Sequence, residues 1–410
     1  MAVCVPDFAR EVLCRLREGG FEAWAVGGCV RDSLLGRVPQ DWDVTTSALP
    51  EEIKRCFAEY RVIETGIAHG TVTVICGGEP VEVTTYRVDG TYSDSRHPDF
   101  VTFTRSLHED LARRDFTVNA MAFCEQEGLR DDFDGQEDLV RRVIRCVGSP
   151  ERRFHEDALR ILRALRFAST LEFSLEANTA AAVLSCAGKL RTIAAERIFA
   201  EWSKLLCGKG AEAVLCAFPQ VFEVFLEELR PLLENLTAWR QAAACACRAP
   251  QEKCLRIALL FRAMPGLGAA EQAALAKSAL RRLRAENKMI FQVCALIGTE
   301  LPYPVALPEV RRLLGRNGEE LFSAQLALLR AEGREDITAA EQMKQEILVR
   351  GDCISLSQLA LKGSDLPGAG KKTGMLLNIA LDAVMDDCVS NRRADLLRYL
   401  KQRQTDQTEQ

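Results

Sequence analysis

The spacing of apolar residues divides the chain into a mixed first part and a helical remainder. Up to about residue 145, short alternating segments typical of strands stand between segments with helical spacing. FAREVLCRLREGG predicts an amphipathic helix ending at Gly19 and Gly20, and TVTVICGGEPVEVTTYR predicts a hairpin turning at Gly77 and Gly78. After residue 150 strand signals nearly vanish, so we expect an α/β domain followed by all-helical segments.

Three local patterns in the first part bear on its chemistry. FEAWAVGG and WDVTT predict strands on either side of the helix VRDSLLG. The stretch VDGTYSDSRHPDFVTFTR is too rich in turn-forming residues to predict a buried element. SLHEDLARRD opens with Ser106 and Glu109 in capping-box spacing, which predicts the start of a helix.

Composition narrows the class of protein without identifying it. The 410 residues are 48% hydrophobic and 27% charged, which is ordinary for a globular chain of two to four domains. No apolar run approaches the ~18 residues of a membrane span, and MAVCVPDFAREVL lacks the layout of a signal peptide. We therefore expect a cytoplasmic protein with no membrane partner. The 16 cysteines and 4 histidines show no zinc-type spacing, which favours reduced thiols packed as small core residues.

Positive charge is concentrated in one segment of an otherwise acidic chain. The net charge is −5, yet residues 141–166 hold eight arginines against three acidic residues. The arginines are Arg141, Arg142, Arg145, Arg152, Arg153, Arg160, Arg163 and Arg166. Two interpretations stay open at this point: a solvated helix face with ion pairs, or a site for phosphates.

The strongest chemical pattern is GGCVRDSLLGRVPQDWD. A strand that ends at two glycines lets the backbone approach a phosphate closely, and Gly28 opens a helix whose first turn carries Arg31. Asp41 and Asp43 follow on the next predicted strand, where residues two apart share a face. An isolated pair of this kind is usually a surface turn. Here hard oxygen ligands beside a phosphate site indicate Mg²⁺.

The chain resembles the class II CCA-adding branch of the polymerase-beta-like nucleotidyltransferases, a branch that includes bacterial poly(A) polymerases. GGCVRDSLLGRVPQDWDVTT resembles its signature, LARRDFTVNAMAF its second motif, EDALRILRALRFA its nucleobase-reading helix and AAERIFAEWSKLL its fifth motif. These motifs stand in the family's order over residues 23–206. The segment GSDLPGAGKKTGMLLNIALDAVMDDCVSNRRADLL is more loosely similar to its tRNA-binding C-terminal region.

The resemblance implies roles for several of these residues. Asp41 and Asp43 would be the catalytic, metal-binding carboxylates of a two-Mg²⁺ centre. Glu82 is the candidate for a third carboxylate on a neighbouring strand. Arg114 would contact the nucleotide, although an ion pair with Asp110 four residues earlier is the simpler alternative.

The segment from Glu156 predicts one helix with a polar half. On a helical projection Asp157, Arg160, Arg163 and Arg166 sweep across that half, with Arg166 nearly opposite Asp157. Together with the resemblance, this pattern implies a protein template for the base. Asp157 would accept from the amine of C or A and repel the carbonyl of U or G, and Arg160 would donate to ring acceptors. Arg163 and Arg166 would serve the same nucleotide pocket or the triphosphate.

The resulting hypothesis is a CCA-adding tRNA nucleotidyltransferase that uses CTP and ATP with Mg²⁺ and grips the acceptor and T-stem half of tRNA. The predicted division is a nucleotidyltransferase head (1–147), a helical neck (148–209), a helical body (210–300) and a helical tail (301–410). A homodimer is compatible with the sequence but is not indicated by it.

Three alternatives remain. A bacterial poly(A) polymerase would use ATP only, and a CC-adding or A-adding enzyme would complete part of the end. The 24 residues from Arg87 to Asp110 match the long loop expected of an enzyme that switches from C to A. A non-catalytic RNA-binding protein on the same scaffold would have no need for Asp41, Asp43, Asp157 and Arg160.

Overall fold

The computed structural model describes residues 3–90, 101–366 and 371–408. The chain forms two compact units. The first comprises residues 1–243 with 279–285, and the second comprises 244–278 with 286–410. The four-part functional division made from the sequence stays a prediction.

The first unit carries the strands. They are β1 (Ala23–Val26), β2 (Asp43–Thr46), β3 (Arg61–Ile63), β4 (Thr71–Cys76), β5 (Glu79–Thr85), β6 (Arg87–Asp89), β7 (Val101–Phe103), β8 (Met121–Cys124), β9 (Gly128–Asp131), β10 (Val143–Ile144) and β11 (Ser174–Leu175). Seven of these form one mixed sheet in the order β3-β4-β5-β2-β1-β8-β9, in which β2 and β5 are parallel and the other neighbours antiparallel.

Helices make up most of the remaining regular structure over the described residues. The first seven α-helices are α1 (Asp7–Glu18), α2 (Gly28–Leu34), α3 (Pro50–Cys56), α4 (Leu107–Ala112), α5 (Gly135–Arg141), α6 (Pro150–Glu156) and α7 (Leu159–Leu171). Next come α8 (Ala177–Cys186), α9 (Ala195–Leu206), α10 (Ala211–Ala217), α11 (Pro219–Glu223), α12 (Arg230–Leu233), α13 (Leu236–Arg248), α14 (Lys253–Arg262) and α15 (Ala269–Arg282). The remaining helices are α16 (Asn287–Ile297), α17 (Leu307–Ala331), α18 (Ile337–Arg350), α19 (Lys371–Met385) and α20 (Arg393–Thr408). The predicted fold class, an α/β head with an all-helical continuation, is confirmed.

The local predictions near the sheet hold well. Helix α1 ends at Gly19, and β4 and β5 form the hairpin, with both turn glycines at positive φ. The Ser106 hydroxyl accepts from the Glu109 backbone N–H and caps α4. The sequence predicted no buried element in the polar stretch after β5, and the structure adds two short strands at its two ends, β6 and β7, which pair antiparallel. Residues 91–100, the centre of the predicted switching loop, lie outside the described residues.

Two predictions about the following segment were wrong. The helix expected to begin at Glu156 is two helices, because Asp157 takes an extended conformation (φ −139°, ψ 106°) between α6 and α7. The all-helical reading also missed β11, whose two residues pair in parallel with β10. A two-residue strand carries no alternating signal, so its pairing is set by tertiary contacts.

The second unit is built from helices over its described residues. One of its hydrophobic cores consists of apolar side chains from the segment after α18 and from α19 and α20. Leu361, Ala380 and Leu396 belong to this core and are each at most 1% exposed. In the described ranges no helix is both long and apolar enough to cross a membrane.

Candidate active site

A polar cleft of about 600 Å³ lies in the first unit, where the end of β1, the start of β2 and one side of α7 meet. All nine site residues predicted from the sequence line it: Gly28, Arg31, Asp41, Asp43, Arg114, Asp157, Arg160, Arg163 and Arg166. The structure thus brings together side chains that are up to 138 positions apart in the sequence. It also adds residues that sequence reasoning did not select: Gly27, Cys29, Asp32, Gln40, Arg113, Asp115, Asn119, Phe167 and Lys204.

The two paired aspartates stand at the edge of the sheet. The strand begins at Asp43, so Asp41 precedes it instead of lying on it as the sequence suggested. The alternation nevertheless extends backwards, since Trp42 is buried while Asp41 is exposed and Asp43 half-buried. Asp43 is in direct parallel register with Glu82 on β5. The position of Glu82 is compatible with the predicted third carboxylate, whose role stays a prediction.

Asp43 is an electrostatically unfavourable carboxylate in the metal-free protein. Burial raises its pKa to about 6, and the negative charges of Glu82 and Asp41 act in the same direction against the opposing charge of Arg114. A bound cation would offset this burial and repulsion, and carboxylate oxygens are the donors that Mg²⁺ prefers. The residues present therefore fit a hard divalent ion. Within residues 3–90, 101–366 and 371–408, no group of three or more His, Cys, Asp or Glu side chains is arranged as a metal site.

The turn between β1 and α2 brings the backbone of Gly27 close to the guanidinium group of Arg114. Gly27 has φ 83° and ψ −129°, a conformation that side-chain-bearing residues rarely adopt, and a Cβ there would lie 3.3 Å from Nη1 of Arg114. The Arg31 guanidinium donates to both carboxylate oxygens of Asp32, at 2.8 and 2.9 Å, and to Oδ1 of Asn119 at 2.6 Å. These contacts fix the Arg31 side chain, which is only 8% exposed, at the cleft wall.

Arg114 forms the ion pair of the simpler alternative and also lines the cleft, while its contact with a nucleotide stays a prediction. Its Nη2 lies 3.3 Å from Oδ2 of Asp110, so the ion pair four residues apart is real. The charges of Arg113 and Arg114 outweigh the burial of Asp110, and its pKa is lowered. At the same time Arg114 lines the cleft, and its buried Nε has no hydrogen-bond partner among the described residues. The ion pair holds Arg114 in place without removing it from the site.

The break at Asp157 changes the geometry of the predicted base-reading residues. Oδ1 of Asp157 accepts from the Leu159 backbone N–H at 2.9 Å, and Oδ2 accepts from Arg197 at 3.0 Å. Because Asp157 lies outside α7, the helical projection that set it opposite Arg166 does not apply, and both line one cleft. A carboxylate has about four acceptor positions, so these two bonds leave capacity for a ligand amine.

Each arginine of α7 is held by a carboxylate, which lies four residues earlier for Arg160 but is distant in the sequence for Arg163 and Arg166. Arg160 donates to Glu156 at 2.7 Å and Arg166 to Glu201 at 2.5 Å. Arg163 donates through Nε and Nη2 to Oδ2 of Asp115, at 2.9 and 2.7 Å.

The Asp115 carboxylate links Arg163 to the turn after β1. Burial alone would raise its pKa, but the charge of Arg163 and a hydrogen bond from Asn119 hold it at about 2. The same Asn119 accepts from Arg31, so a hydrogen-bonded chain runs from α2 to α7. Asp115 and Asn119 stand in RRDFTVN beside Arg114, which was the one signal that could have found them.

Comparisons with known proteins place this fold and site in a class. A model of the poly A polymerase head domain matches residues 23–145, and one described as the probable RNA and SrmB-binding site of polymerase A matches 172–233. The fold and these two matches indicate a nucleotidyltransferase with a head domain of the poly A polymerase type.

Full-length similarity identifies the family within that class. The chain is 38% identical to a CCA-adding enzyme of Geobacillus kaustophilus over 391 residues, covering 93% of this chain and 92% of that one. It therefore belongs to the family of CCA-adding enzymes. A CCA-adding enzyme of Lactobacillus delbrueckii subsp. bulgaricus is 52% identical over 218 residues, 53% of each chain, so the match spans about half the length of that relative. The crystal structure of the Bacillus stearothermophilus CCA-adding enzyme in complex with CTP superposes with a TM-score of 0.80 at 31% identity, covering 98% of both chains.

Proposed function

We propose that this protein adds C, C and A to the 3′ end of tRNA from CTP and ATP, without a nucleic-acid template and with release of pyrophosphate. The observation that carries the proposal is the single cleft that joins the carboxylates Asp41 and Asp43 to the polar residues of the Asp157–Arg166 segment. The first pair suits phosphoryl chemistry and the second set suits base recognition. The full-length similarity to CCA-adding enzymes, one of which is described in complex with CTP, supports this combination.

The carboxylates would hold the divalent ions. Asp41 and Asp43 would bind two Mg²⁺ ions, with the remaining positions taken by phosphate oxygens and water, as is usual for this ion. When bound, such ions supply charge neutralisation and make a hydroxyl acidic enough to attack. The 3′-hydroxyl of the RNA attacks the α-phosphorus in line and its proton passes to solvent, while the bond between the α-phosphorus and the bridging oxygen breaks and pyrophosphate leaves.

The arginines position the triphosphate while this occurs. Arg114 lies beside Gly27 and Arg31 beside Gly28, and Arg163 and Arg166 line the cleft from α7. Guanidinium groups donate in a planar fork that matches phosphate oxygens. Because these arginines are held by Asp32, Asp110, Asp115 and Glu201, they are oriented before the nucleotide enters, which lowers the entropy lost on binding.

Asp157 and Arg160 would choose the base. Asp157 carries two hydrogen bonds from the protein that fix its carboxylate, and it can still accept from the exocyclic amine of cytosine or adenine. Uracil and guanine would face this carboxylate with a carbonyl oxygen, which it repels. Arg160 would donate to the ring nitrogen that neighbours the amine.

Other parts of the proposal rest on the sequence and on the family. The helical segments after residue 210 would bind the acceptor and T-stem half of tRNA by shape and phosphate contacts. A cytoplasmic location follows from that substrate, and the four-part division into head, neck, body and tail remains our functional description. A homodimer stays an untested alternative to the monomer.

The decisive experiment offers tRNA that ends at its discriminator base to the protein with CTP alone, ATP alone, or both. We expect two added C residues from CTP alone and a complete end only with both nucleotides. A ladder of many adenosines from ATP alone would favour a poly(A) polymerase, and a reaction that stops after C or accepts only a CC end would favour a partial enzyme.

Asp41→Ala and Asp43→Ala should each abolish both steps while tRNA binding persists. Activity within about tenfold of wild type in either variant would contradict the metal assignment.

A further inference from the structure

One aromatic ring lies at the centre of the arginines that line the cleft. Phe167 follows Arg166 on α7, is only 5% exposed and forms part of the cleft wall. The guanidinium carbons of Arg166, Arg31 and Arg163 lie 4.0, 5.0 and 5.4 Å from its ring centroid. All three distances fall within the ~6 Å over which a ring attracts a cation.

These three arginines come from two different elements. Arg31 belongs to α2 in the α/β part, whereas Arg163 and Arg166 belong to α7. A hydrogen-bonded chain through Asn119 and Asp115 joins Arg31 to Arg163 on one side of this group. Phe167 contacts both ends of that chain and also Arg166, which Glu201 links to Arg163 through ion pairs of 2.5 and 4.0 Å.

We propose that Phe167 is a positioning residue that holds Arg31, Arg163 and Arg166 together as one binding surface for the triphosphate of the incoming nucleotide. Asp32, Asp115 and Glu201 each pair with one of these guanidinium groups. The negative face of the ring adds an attraction that all three share, and an aliphatic side chain has no such face. The ring also attracts a cation without taking up its N–H donors. Those donors, five in each guanidinium, therefore stay available for carboxylates and phosphate oxygens.

The ring itself is fixed by the core behind it. Phe116 packs edge-on against Phe167, with ring centroids 5.7 Å apart and planes at 79°. Phe116 is fully buried and directly follows Asp115, the carboxylate partner of Arg163. The orientation of the ring and the position of that carboxylate thus depend on the same stretch of backbone, so we expect the arginine group to move as a unit.

This inference rests on the proposed function for the identity of the ligand, and its test separates the two. The probe is inorganic tripolyphosphate, measured by titration calorimetry at fixed Mg²⁺ with the full chain, alongside KM and kcat for CTP and ATP. Phe167→Leu should weaken tripolyphosphate binding and raise both KM values about tenfold, which corresponds to ~1.4 kcal/mol, while kcat and the preference for C and A over U and G change less than about threefold. Phe167→Tyr keeps the ring face and should restore both quantities to within about threefold of wild type.

The control is Phe173→Leu, which removes a ring that is also nearly buried, at 8% exposure, but lies outside the cleft lining. It should lower stability without raising KM. If Phe167→Leu does not fold, Phe167→Met preserves most of the volume and takes its place with the same expected result. Affinity for tripolyphosphate within twofold of wild type in the Leu or Met variant, or no recovery in the Tyr variant, would overturn the inference. If tripolyphosphate binding depends on Phe167 as expected but the wild-type protein adds nothing to tRNA, only the proposed function is overturned.

Discussion

Replacing Asp43 by Asn should stabilise the metal-free protein while abolishing its activity. Asp43 is half-buried at the edge of the sheet, directly beside Glu82 in the strand register and close enough to Asp41 for their charges to interact. An amide has nearly the same shape as the carboxylate but carries no charge. The substitution therefore removes repulsion and the desolvation of a charge without creating a cavity.

The pKa of Asp43 sets the size of the effect. Its pKa of about 6 lies roughly two pH units above the ordinary value of 3.8. At ~1.4 kcal/mol per unit, ionised Asp43 costs the folded state at most about 3 kcal/mol above pH 6. Because solvent and side chains relax around a half-buried group, we expect a measured gain of about 1–2 kcal/mol for Asp43→Asn at pH 8.

The sign of the pH dependence follows from the raised pKa. Below the unfolded pKa the carboxyl is protonated in both states and costs nothing, and the cost grows as pH rises towards the folded value of about 6. The advantage of Asp43→Asn should therefore be complete at pH 8, about half as large at pH 5, and absent near pH 3. Adding Mg²⁺ at pH 8 should stabilise the wild type and leave Asp43→Asn unchanged, which reduces or reverses the difference.

Urea unfolding in EDTA, followed by tryptophan fluorescence, measures the difference in unfolding free energy between wild type and Asp43→Asn in the compact unit that contains Asp43. All four tryptophans lie in the first compact unit: Trp24, Trp42, Trp202 and Trp239. Asp41→Asn is the matched control, because Asp41 is exposed and its loss should change stability by less than ~0.5 kcal/mol while still abolishing activity. An Asp43→Asn protein less stable than wild type at pH 8, or a difference that does not vary with pH, would refute the reasoning.

Three further predictions concern the nucleotide. Asp157→Ala should lower the use of CTP and ATP by ~1–3 kcal/mol of lost charge-assisted hydrogen bonding and reduce the preference for CTP and ATP over UTP and GTP in a four-nucleotide incorporation assay. Asp157→Asn, whose amide can donate to a carbonyl, should incorporate UTP more readily. Full retention of the preference for C and A in both variants would contradict the protein template. Deleting residues 92–99 should impair addition of A more than addition of C, and an equal loss of both steps would argue against a switching loop. Gly27→Ala should reduce kcat/KM at least tenfold through backbone strain of ~1–3 kcal/mol at positive φ and crowding of Arg114, whereas Gly20→Ala, also at positive φ but with open space at its Cβ, should cost stability and leave kcat/KM within threefold.

Local patterns sufficed to predict the elements that carry the site. Gly27 and Gly28 end a strand and open a helix as their sequence suggests, and the alternation around the buried Trp42 leaves both aspartates more exposed than that ring, even though only Asp43 is on the strand. The hairpin at Gly77 forms because two successive glycines can both take positive φ. In each of these cases the structure depends on residues within a few positions of one another.

Pairings between distant residues could not be predicted in this way. Nothing near Arg163 or Arg166 in the sequence indicates Asp115, 48 positions away, or Glu201, 35 positions away. The break at Asp157 was missed because EDALRILRALRFA, in which Asp157 is the second residue, has continuous helical spacing and no proline or glycine to mark a break. Its extended conformation accompanies tertiary bonds, notably the one from Arg197 on α9, a helix that packs against α7.

Sequencing the 3′ ends that the protein produces from one purified tRNA lacking CCA, with all four nucleoside triphosphates present at equal concentration, tests the central claim most directly. We expect the extended molecules to end in C-C-A, synthesis to stop there, and U and G to be rare at all three added positions. Because no other nucleic acid is present, this order can come only from the protein and the growing RNA end. Tails of repeated A, or ends in which U and G are as frequent as C and A, would contradict the account.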